Sequence, residues 1–272
     1  MNKTQIKAAV IQMSSSDDSE YSWNQLRTLL DQVDDSHDLV SFPENALYIR
    51  VDSKSPLTNF NLGEPLFREL EKISAERNFA IHIGSVPCLR DGKTFNTSLW
   101  IEPNKEVEAV YDKIHLFDVD VEGQKPMRES DQFVHGSKPI VLNYLGWNIG
   151  FSICYDLRFS ELYKYYSQQN VDLLLAPAAF LVPTGKAHWE VLLRARAIET
   201  QSYMLAAAQV GEHKSIKGGS RETFGHSMIV DPWGKILAIN SKSEPGVISS
   251  KLDKSIIAKV REQIPMAQHR RL

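Results

Sequence analysis

Cysteine is scarce in this sequence, and long apolar runs are missing. Its 272 residues include only Cys88 and Cys154, too few for a disulfide framework and wrongly spaced for a zinc motif. No apolar run approaches the ~18–20 residues that a membrane-spanning helix needs. The first residues lead into a strand-like run without the apolar core of a signal peptide. These absences favour a reduced, cytoplasmic protein that does not span a membrane.

Charge of one sign is not in excess either. The formal net charge is −3, and acidic and basic residues are interspersed along the chain. Such a distribution gives no electrostatic reason to bind nucleic acid or an anionic membrane surface. The eight histidines form no His-x-x-x-His or comparable pattern, so no metal site is expected. What is present, 42% hydrophobic and 24% charged residues, is typical of a globular protein.

Strand-like and helix-like segments alternate along the whole chain. Helical spacing of apolar residues predicts helices over 21–33, 65–77, 160–169, 186–200 and 255–264. Short apolar runs between them, such as 39–42, 147–153 and 203–209, predict strands. A polar stretch over 112–139 lacks any period, and so long an irregular segment is usually functional or disordered. Without a linker or composition break, the pattern predicts one α/β domain over 1–272, with helices covering two packed sheets.

Cys154 follows directly on an apolar, strand-like run, and a helix-like segment begins a few residues later. A nucleophile at such a turn is presented beyond the sheet edge, where backbone N–H groups can meet a developing oxyanion. The alternative is a packed thiol, since free cysteine is among the most buried residue types. Position alone leaves both interpretations open.

Three charged residues strengthen the first interpretation. Glu44 follows a short buried strand, Lys113 follows another predicted strand, and Glu129 lies within the irregular segment. Each one alone is more often a solvated or salt-bridged side chain. Together with Cys154 they supply a nucleophile, a base and a cationic partner for an oxyanion, which is what amide hydrolysis requires.

These residues lie in motifs that resemble the nitrilase (carbon–nitrogen hydrolase) superfamily over nearly the whole chain. The motifs are Lys-Ile-His-Leu-Phe-Asp at 113–118, Cys-Tyr-Asp-Leu-Arg-Phe at 154–159 and Arg-Ala-Arg-Ala-Ile-Glu at 194–199. Glu44, Lys113 and Cys154 match the Glu-Lys-Cys triad of that superfamily. The resemblance implies a four-layer α-β-β-α sandwich, no cofactor, and a homodimer to which the C-terminal run 260–272 is a plausible contributor.

The resemblance also implies roles for the matched residues. Glu44 acts as general base on the Cys154 thiol and later on water. The Lys113 ammonium and the Tyr155 backbone N–H stabilise the oxyanion, and Glu129 hydrogen-bonds Lys113. Ser160 stands where many relatives have proline, and serine is acceptable at the start of a helix.

Three passages, 123–130, 187–194 and 224–234, resemble the deaminated glutathione amidases within the superfamily. That branch implies a small-molecule amide substrate, cleaved to 2-oxoglutarate and cysteinylglycine through a cysteine thioester. Cationic or hydroxyl partners for the substrate carboxylates are then expected, and Arg158, Arg128 and Thr184 are candidates. Thr184 is attractive because it is expected just before a helix. Arg158 has an equally weighted alternative, a salt bridge with Glu161.

Two other functions compete with this one. The first is an ω-amidase acting on 2-oxoglutaramate, or another small-amide or N-carbamoyl hydrolase of the same superfamily. The second is a catalytically inactive member that serves as a binding protein. Intact Glu44, Lys113, Glu129 and Cys154 argue against inactivity.

Overall fold

A computed structural model describes residues 2–51, 56–122 and 126–271. The helices in this part of the chain are α1 (Ser19–Leu30), α2 (Pro65–Arg77), α3 (Ser160–Gln168), α4 (Val182–Thr200), α5 (Lys254–Gln263) and α6 (Met266–His269). The strands are β1 (Gln5–Gln12), β2 (Leu39–Ser41), β3 (Ala80–Arg90), β4 (Lys93–Ile101), β5 (Glu108–Asp112), β6 (Asp118–Val119), β7 (Met127–Arg128), β8 (Val141–Tyr144), β9 (Trp147–Phe151), β10 (Leu173–Leu175), β11 (Tyr203–Ala206), β12 (Val210–Lys214), β13 (Ser220–Phe224), β14 (Ser227–Val230), β15 (Ile236–Asn240) and β16 (Gly246–Asp253).

Most strands form two six-stranded sheets built on the same plan. The first sheet has the order β16-β1-β2-β3-β4-β5 and the second β15-β14-β11-β10-β9-β8. The central strands β1, β2 and β3 are parallel, as are β9, β10 and β11. The outer strands of both sheets pair antiparallel. Ligands of parallel sheets bind beyond the carboxyl ends of the strands, and both sheets offer such ends.

The two sheets pack face to face, with helices on their outer faces. In β1, Ala8 and Val10 point to the core between the sheets, while Ala9 and Ile11 point to the core under α1 and α2. This alternation follows the two-residue period of a strand. Helices α3 and α4 pack on the second sheet with the side chains Tyr163, Tyr166, Trp189 and Leu193. The layers are therefore α-β-β-α, and the predicted architecture is confirmed.

Local signals account for several helix ends. Asp18 caps α1 by accepting hydrogen bonds from the backbone N–H groups of Glu20 and Tyr21. Asp253 caps α5 in the same way through Ser255. Asn78, which follows the last residue of α2, has the left-handed conformation, which asparagine tolerates well. Within the described residues, no helix is long and apolar enough to cross a membrane.

Some predicted boundaries were wrong. Helix α4 begins at Val182 rather than at residue 186, since Pro183 suits the first helical positions. The strand predicted over 203–209 ends at Ala206, and an unpredicted hairpin, β12–β13, follows. The irregular stretch 112–139 contains the short pair β6–β7 and a 3₁₀ turn at Glu129–Asp131. Residues 123–125 of the passage 123–130, and Leu272 of the run 260–272, lie outside the described residues.

Candidate active site

Cys154 opens a 3₁₀ turn, Cys154–Arg158, three residues after β9 ends. Its backbone has φ +49°, a left-handed conformation that costs free energy for a residue other than glycine. The Cys154 N–H donates to the Pro177 carbonyl at 2.8 Å. The residue is 8% exposed and borders a cavity. This is the strained strand-to-turn placement that suits a nucleophile.

Asp156 holds this turn in place through hydrogen bonds to its carboxylate. Its carboxylate is buried and accepts hydrogen bonds from the N–H of Ile153 at 2.9 Å and the hydroxyl of Tyr111 at 2.7 Å. It also accepts from the His115 backbone N–H at 2.9 Å and contacts His115 Nδ1 at 2.7 Å. Asp156 therefore ties the turn that carries Cys154 to the segment that follows Lys113. Its role was not predicted, because an aspartate two residues after a cysteine is not by itself a signal.

Glu44 lies just beyond the end of the parallel strand β2 and is 3% exposed. Its Oε1 atom accepts hydrogen bonds from Lys113 Nζ at 2.8 Å and from Asn96 Nδ2 at 3.1 Å. The backbone carbonyl of Glu44 accepts from Gln209 Nε2 at 2.9 Å, which ties this loop to the second sheet. The carboxylate is thereby fixed in a buried position where it cannot turn freely.

Lys113 is 2% exposed and lies between two carboxylates. Its ammonium is 2.8 Å from Glu44 Oε1 and 2.8 Å from Glu129 Oε2. Burial lowers the pKa of an ammonium, but the charges of Glu129 and Glu44 outweigh it and raise the pKa of Lys113 well above its usual range. Lys113 is therefore a permanent cation.

Glu129 is held by several donors at once. Lys113 Nζ contacts both of its oxygens, at 3.1 and 2.8 Å. Phe117 donates its backbone N–H to Oε2 at 2.7 Å, and Asn96 Nδ2 donates to Oε1 at 3.0 Å. Asn96 thus bridges both glutamates, a role that its place within β4 did not reveal. With its acceptors occupied, Glu129 is suited to orienting Lys113.

The Cys154 thiol is protonated at neutral pH. Burial raises its pKa well above the usual range, and the negative charge of the nearby Glu44 carboxylate raises it further. The Lys113 ammonium and the backbone N–H of Ala179 act in the opposite direction. Because the thiolate is not preformed, a base must take the proton as the thiol reacts. Glu44 is in place to do so.

A cavity of ≈ 760 Å³ lies over these groups. All four residues predicted to be catalytic, Glu44, Lys113, Glu129 and Cys154, line it together. Arg128 also lines it, but its exposed guanidinium is paired with the Asp120 carboxylate at 2.8 Å. Among the described residues, no three His, Cys, Asp or Glu side chains are grouped so as to hold a metal ion.

The predicted carboxylate partners Arg158 and Thr184, and Tyr155, whose backbone N–H is the predicted oxyanion donor, are absent from the described lining of this cavity. The ring of Tyr155 packs edge-on against Phe117 and Phe159. Arg158 lies over the rings of Tyr155 and Phe180, and its Nη1 is 3.1 Å from His188 Nδ1. No ion pair joins it to Glu161 among the described residues.

Thr184 lies inside the first turn of α4 and not before it. Its hydroxyl donates to the Leu181 carbonyl at 3.2 Å. The expectation that Thr184 precedes the helix was therefore wrong, since the helix starts two residues earlier. A hydroxyl engaged with its own helix turn is a poor anchor for a distant carboxylate.

Two other arginines line the cavity instead. Arg50 follows the Glu44 loop, and Arg221 lies on β13. Neither was predicted, because neither belongs to a recognisable motif. They line one cavity only because the fold brings the hairpin β12–β13 over the end of the first sheet.

Known proteins resemble this chain in sequence. The sequence model of the carbon-nitrogen hydrolase family matches residues 7–262. A protein of Synechocystis sp. named deaminated glutathione amidase is 37% identical over 269 residues, and the match covers 97% of each chain.

Solved structures share the fold. The crystal structure of the C. elegans NitFhit protein matches with a TM-score of 0.86 and 31% identity, covering 100% of this chain and 66% of that one. Nit3 of Saccharomyces cerevisiae, described as a member of branch 10 of the nitrilase superfamily, matches with a TM-score of 0.80 and 25% identity, covering 100% and 98%. The protein described here belongs to the carbon-nitrogen hydrolase family.

Proposed function

We propose that the protein is an amidase that hydrolyses deaminated glutathione to 2-oxoglutarate and cysteinylglycine, with Cys154 as nucleophile. The observation that carries this proposal is the meeting of three groups from separate strand ends at one cavity. Cys154 and Glu44 line the same cavity, and Glu44 is 2.8 Å from the Lys113 ammonium. A thiol, a base and a cation in one site are the minimum set for covalent amide hydrolysis.

The first half of the reaction makes a thioester. Glu44 takes the thiol proton while the sulfur attacks the amide carbon, which gives a tetrahedral oxyanion. Lys113 stabilises this charge, together with the backbone N–H of Tyr155. Glu44 then gives the proton to the amine nitrogen, and the C–N bond breaks. Glu129 keeps Lys113 in position throughout, since both its oxygens contact the ammonium.

The second half restores the enzyme. Water enters after the amine has left, and Glu44 takes a proton from it as its oxygen attacks the thioester carbon. The second tetrahedral oxyanion meets the same donors. Its collapse breaks the C–S bond, releases the acid, and returns the proton to the sulfur. Fixed donors in a site from which water is largely excluded are worth roughly 10²–10³ in rate each.

The substrate assignment is supported by the name of a similar protein and by the charges of the cavity. The Synechocystis protein, 37% identical over 97% of both chains, carries the name deaminated glutathione amidase. Cationic Arg50, Arg128 and Arg221 line the cavity, and deaminated glutathione carries two carboxylates. The smaller amide 2-oxoglutaramate is the less favoured alternative.

We also propose that residues 1–272 act as one domain, and that the protein is a cytoplasmic homodimer. The first and last strands pair directly, Gln5 with Asp253, which supports a single unit. Exposed apolar side chains on and beside α4, Val191, Ile198 and Trp233, offer a surface for a second copy. Light scattering after gel filtration measures the mass of the assembly, and fractionation of cells locates the protein. A monomer mass contradicts the dimer.

A direct assay tests the proposed activity. Wild-type protein and Cys154→Ala are supplied with deaminated glutathione or 2-oxoglutaramate, and product release is measured. We expect turnover only by the wild type and a higher kcat/KM for deaminated glutathione. Circular dichroism establishes that the variant is folded. Turnover by folded Cys154→Ala overturns the assignment of Cys154 as nucleophile. A clear preference for the smaller amide overturns the assignment of deaminated glutathione as substrate.

A further inference from the structure

Arg221 occupies an inward-facing position on the hairpin β12–β13. Along β13, Ser220 and Glu222 are exposed, whereas Arg221 and Thr223 turn towards the protein. Thr223 is 2% exposed and contacts His213 Nε2 at 2.7 Å, which anchors that face of the strand. The alternation of a strand therefore carries the Arg221 side chain into the cavity that Cys154 also lines.

The guanidinium of Arg221 is poorly satisfied. Its Nε is buried and has no hydrogen-bond partner among the described residues. Its Nη1 makes one long contact, 3.4 Å, with the Arg50 carbonyl. A guanidinium has five N–H donors, and no ion pair of Arg221 occurs within the described part of the chain. By contrast, the neighbouring cations Lys113 and Arg128 are each paired with carboxylates.

An unpaired guanidinium at this position costs stability. A buried cation without a partner loses hydration that no counter-charge replaces. Burial lowers the pKa of Arg221, and Glu44, Cys154 and Glu129 only partly oppose that effect. Those three residues are the reacting centre, so Arg221 lies within electrostatic range of the bond to be cleaved. Glu44 and Glu129 are already bound to Lys113, which leaves them unable to serve as its partners.

We propose that Arg221 is a specificity-determining residue that binds a carboxylate of the substrate through its unpaired N–H groups. A guanidinium holds a carboxylate with two parallel hydrogen bonds, which fixes orientation as well as position. The inference rests on the proposed amidase function, and it names the contact that selects anionic amides. The carboxylate belongs either to the acyl part of the substrate or to the glycine of its leaving group, and the two sources are separable by experiment.

The first measurement compares kcat/KM for deaminated glutathione among wild type, Arg221→Met and Arg221→Lys. Loss of a hydrogen-bonded charge pair lowers kcat/KM roughly 10- to 100-fold in Arg221→Met. Arg221→Lys keeps the charge but loses the pair of parallel N–H donors, so its kcat/KM should lie between those of wild type and Arg221→Met. Lys217→Met is the matched control, since it removes an exposed cation of the same hairpin that does not border the cavity.

The second measurement does not depend on turnover. Iodoacetamide alkylates Cys154, and 2-oxoglutarate or cysteinylglycine is added to protect it. 2-Oxoglutarate keeps the acyl carboxylate of the substrate, beside the carboxylate that hydrolysis creates, and cysteinylglycine keeps the glycine carboxylate. In Arg221→Met, the concentration needed for half-protection should rise roughly 10- to 100-fold for one of them. A rise for 2-oxoglutarate assigns Arg221 to the acyl carboxylate, and a rise for cysteinylglycine assigns it to the leaving group.

Thermal unfolding separates binding from a structural role. Because an unpaired buried cation is removed, the midpoint of Arg221→Met should equal or exceed that of wild type. A midpoint several degrees lower overturns the proposal, as does unchanged protection by both products or no protection of the wild type by either. If wild type fails to cleave deaminated glutathione but protection still depends on Arg221, the proposed function fails while the carboxylate site stands.

Discussion

Glu44 and Lys113 form a buried ion pair, with Oε1 and Nζ 2.8 Å apart, although 69 positions separate them in the sequence. Both residues are buried and line the cavity, and Glu129 also pairs with Lys113. A buried ion pair adds little net stability by comparison with apolar packing. Its value here is geometric, because it fixes a base and a cation beside the same thiol.

Replacing Lys113 with methionine should damage both activity and stability. The two carboxylates would then be buried without their cation, at a cost of about 3–5 kcal/mol in the free energy of unfolding. Loss of the oxyanion partner should lower kcat by roughly 10²–10³. Urea unfolding and amide turnover measure the two effects. The control is Lys105→Met, which removes an exposed partner of Glu102 and should cost under about 1 kcal/mol.

The raised pKa of the Cys154 thiol predicts that its reactivity depends on Glu44. Glu44→Gln should slow hydrolysis by roughly 10²–10⁴, the usual contribution of a general base. The rate of product release from deaminated glutathione measures this loss. Glu212→Gln on the exposed face of β12 is the matched acidic control. An unchanged rate in Glu44→Gln would remove Glu44 from the mechanism.

Gly84 sets how closely the two sheets approach behind the site. A methyl group there would come within 2.3 Å of the Phe42 carbonyl, 2.4 Å of the Pro43 carbonyl and 2.5 Å of Pro177 Cβ. Pro43 precedes Glu44, and the Pro177 carbonyl accepts the Cys154 N–H. Gly84→Ala should therefore lower kcat by displacing base and nucleophile together, and destabilise the fold by about 1–3 kcal/mol.

The control for that substitution is Gly63→Ala, where an added methyl group meets nothing within 4 Å. Turnover and thermal unfolding are measured side by side for both variants. Wild-type kcat in Gly84→Ala would mean that the strand ends shift without disturbing the catalytic groups.

His213 makes stability depend on pH. Burial lowers the pKa of His213 to about 4, and the ring is buried against Ser15 and Thr223. Unfolded histidine has a pKa of about 6.5. Below that pH, His213 therefore binds a proton in the unfolded chain but stays neutral in the folded chain. Stability from this group is complete above pH ~6.5 and is lost as pH falls to about 4, by about 3 kcal/mol in all.

Urea unfolding between pH 7 and 4 checks this sign. His213→Gln should show a weaker loss of stability over that interval than wild type. Exposed His135→Gln is the matched control and should behave like wild type. Equal slopes for wild type and His213→Gln contradict the assignment.

Motifs next to strand ends made Glu44, Lys113 and Cys154 predictable from the sequence. Each follows a strand whose apolar pattern is strong, as β2 and β9 are. Glu129 was also predicted, although its turn has no periodic signal. The layers of the fold were predictable for the same reason, because apolar periodicity marks what each helix and strand buries.

Asn96 and Arg221 escaped prediction for a physical reason. Asn96 is a polar residue inside a strand, and its bond to Glu44 joins positions 52 residues apart. Arg221 lies on a hairpin whose exposed face is charged, so that its alternation does not look like a strand. Conversely, the positions of Arg158 and Thr184 in the sequence favoured a substrate-binding role, but turn geometry and the start of α4 direct their side chains elsewhere.

The pairing of β1 with β16 bears on how the enzyme is made. Residues Gln5–Gln12 pair with Gly246–Asp253 over their whole length, so the edge of the first sheet is completed only after residues 246–253 have been synthesised. Glu44 and Lys113 belong to that sheet, whereas Cys154 follows a strand of the other. The edge strand of the sheet that leads into Glu44 and Lys113 is therefore made after Glu44, Lys113 and Cys154 themselves. We expect a chain that ends before residue 246 to lack this edge pairing and, with it, part of the support of the site.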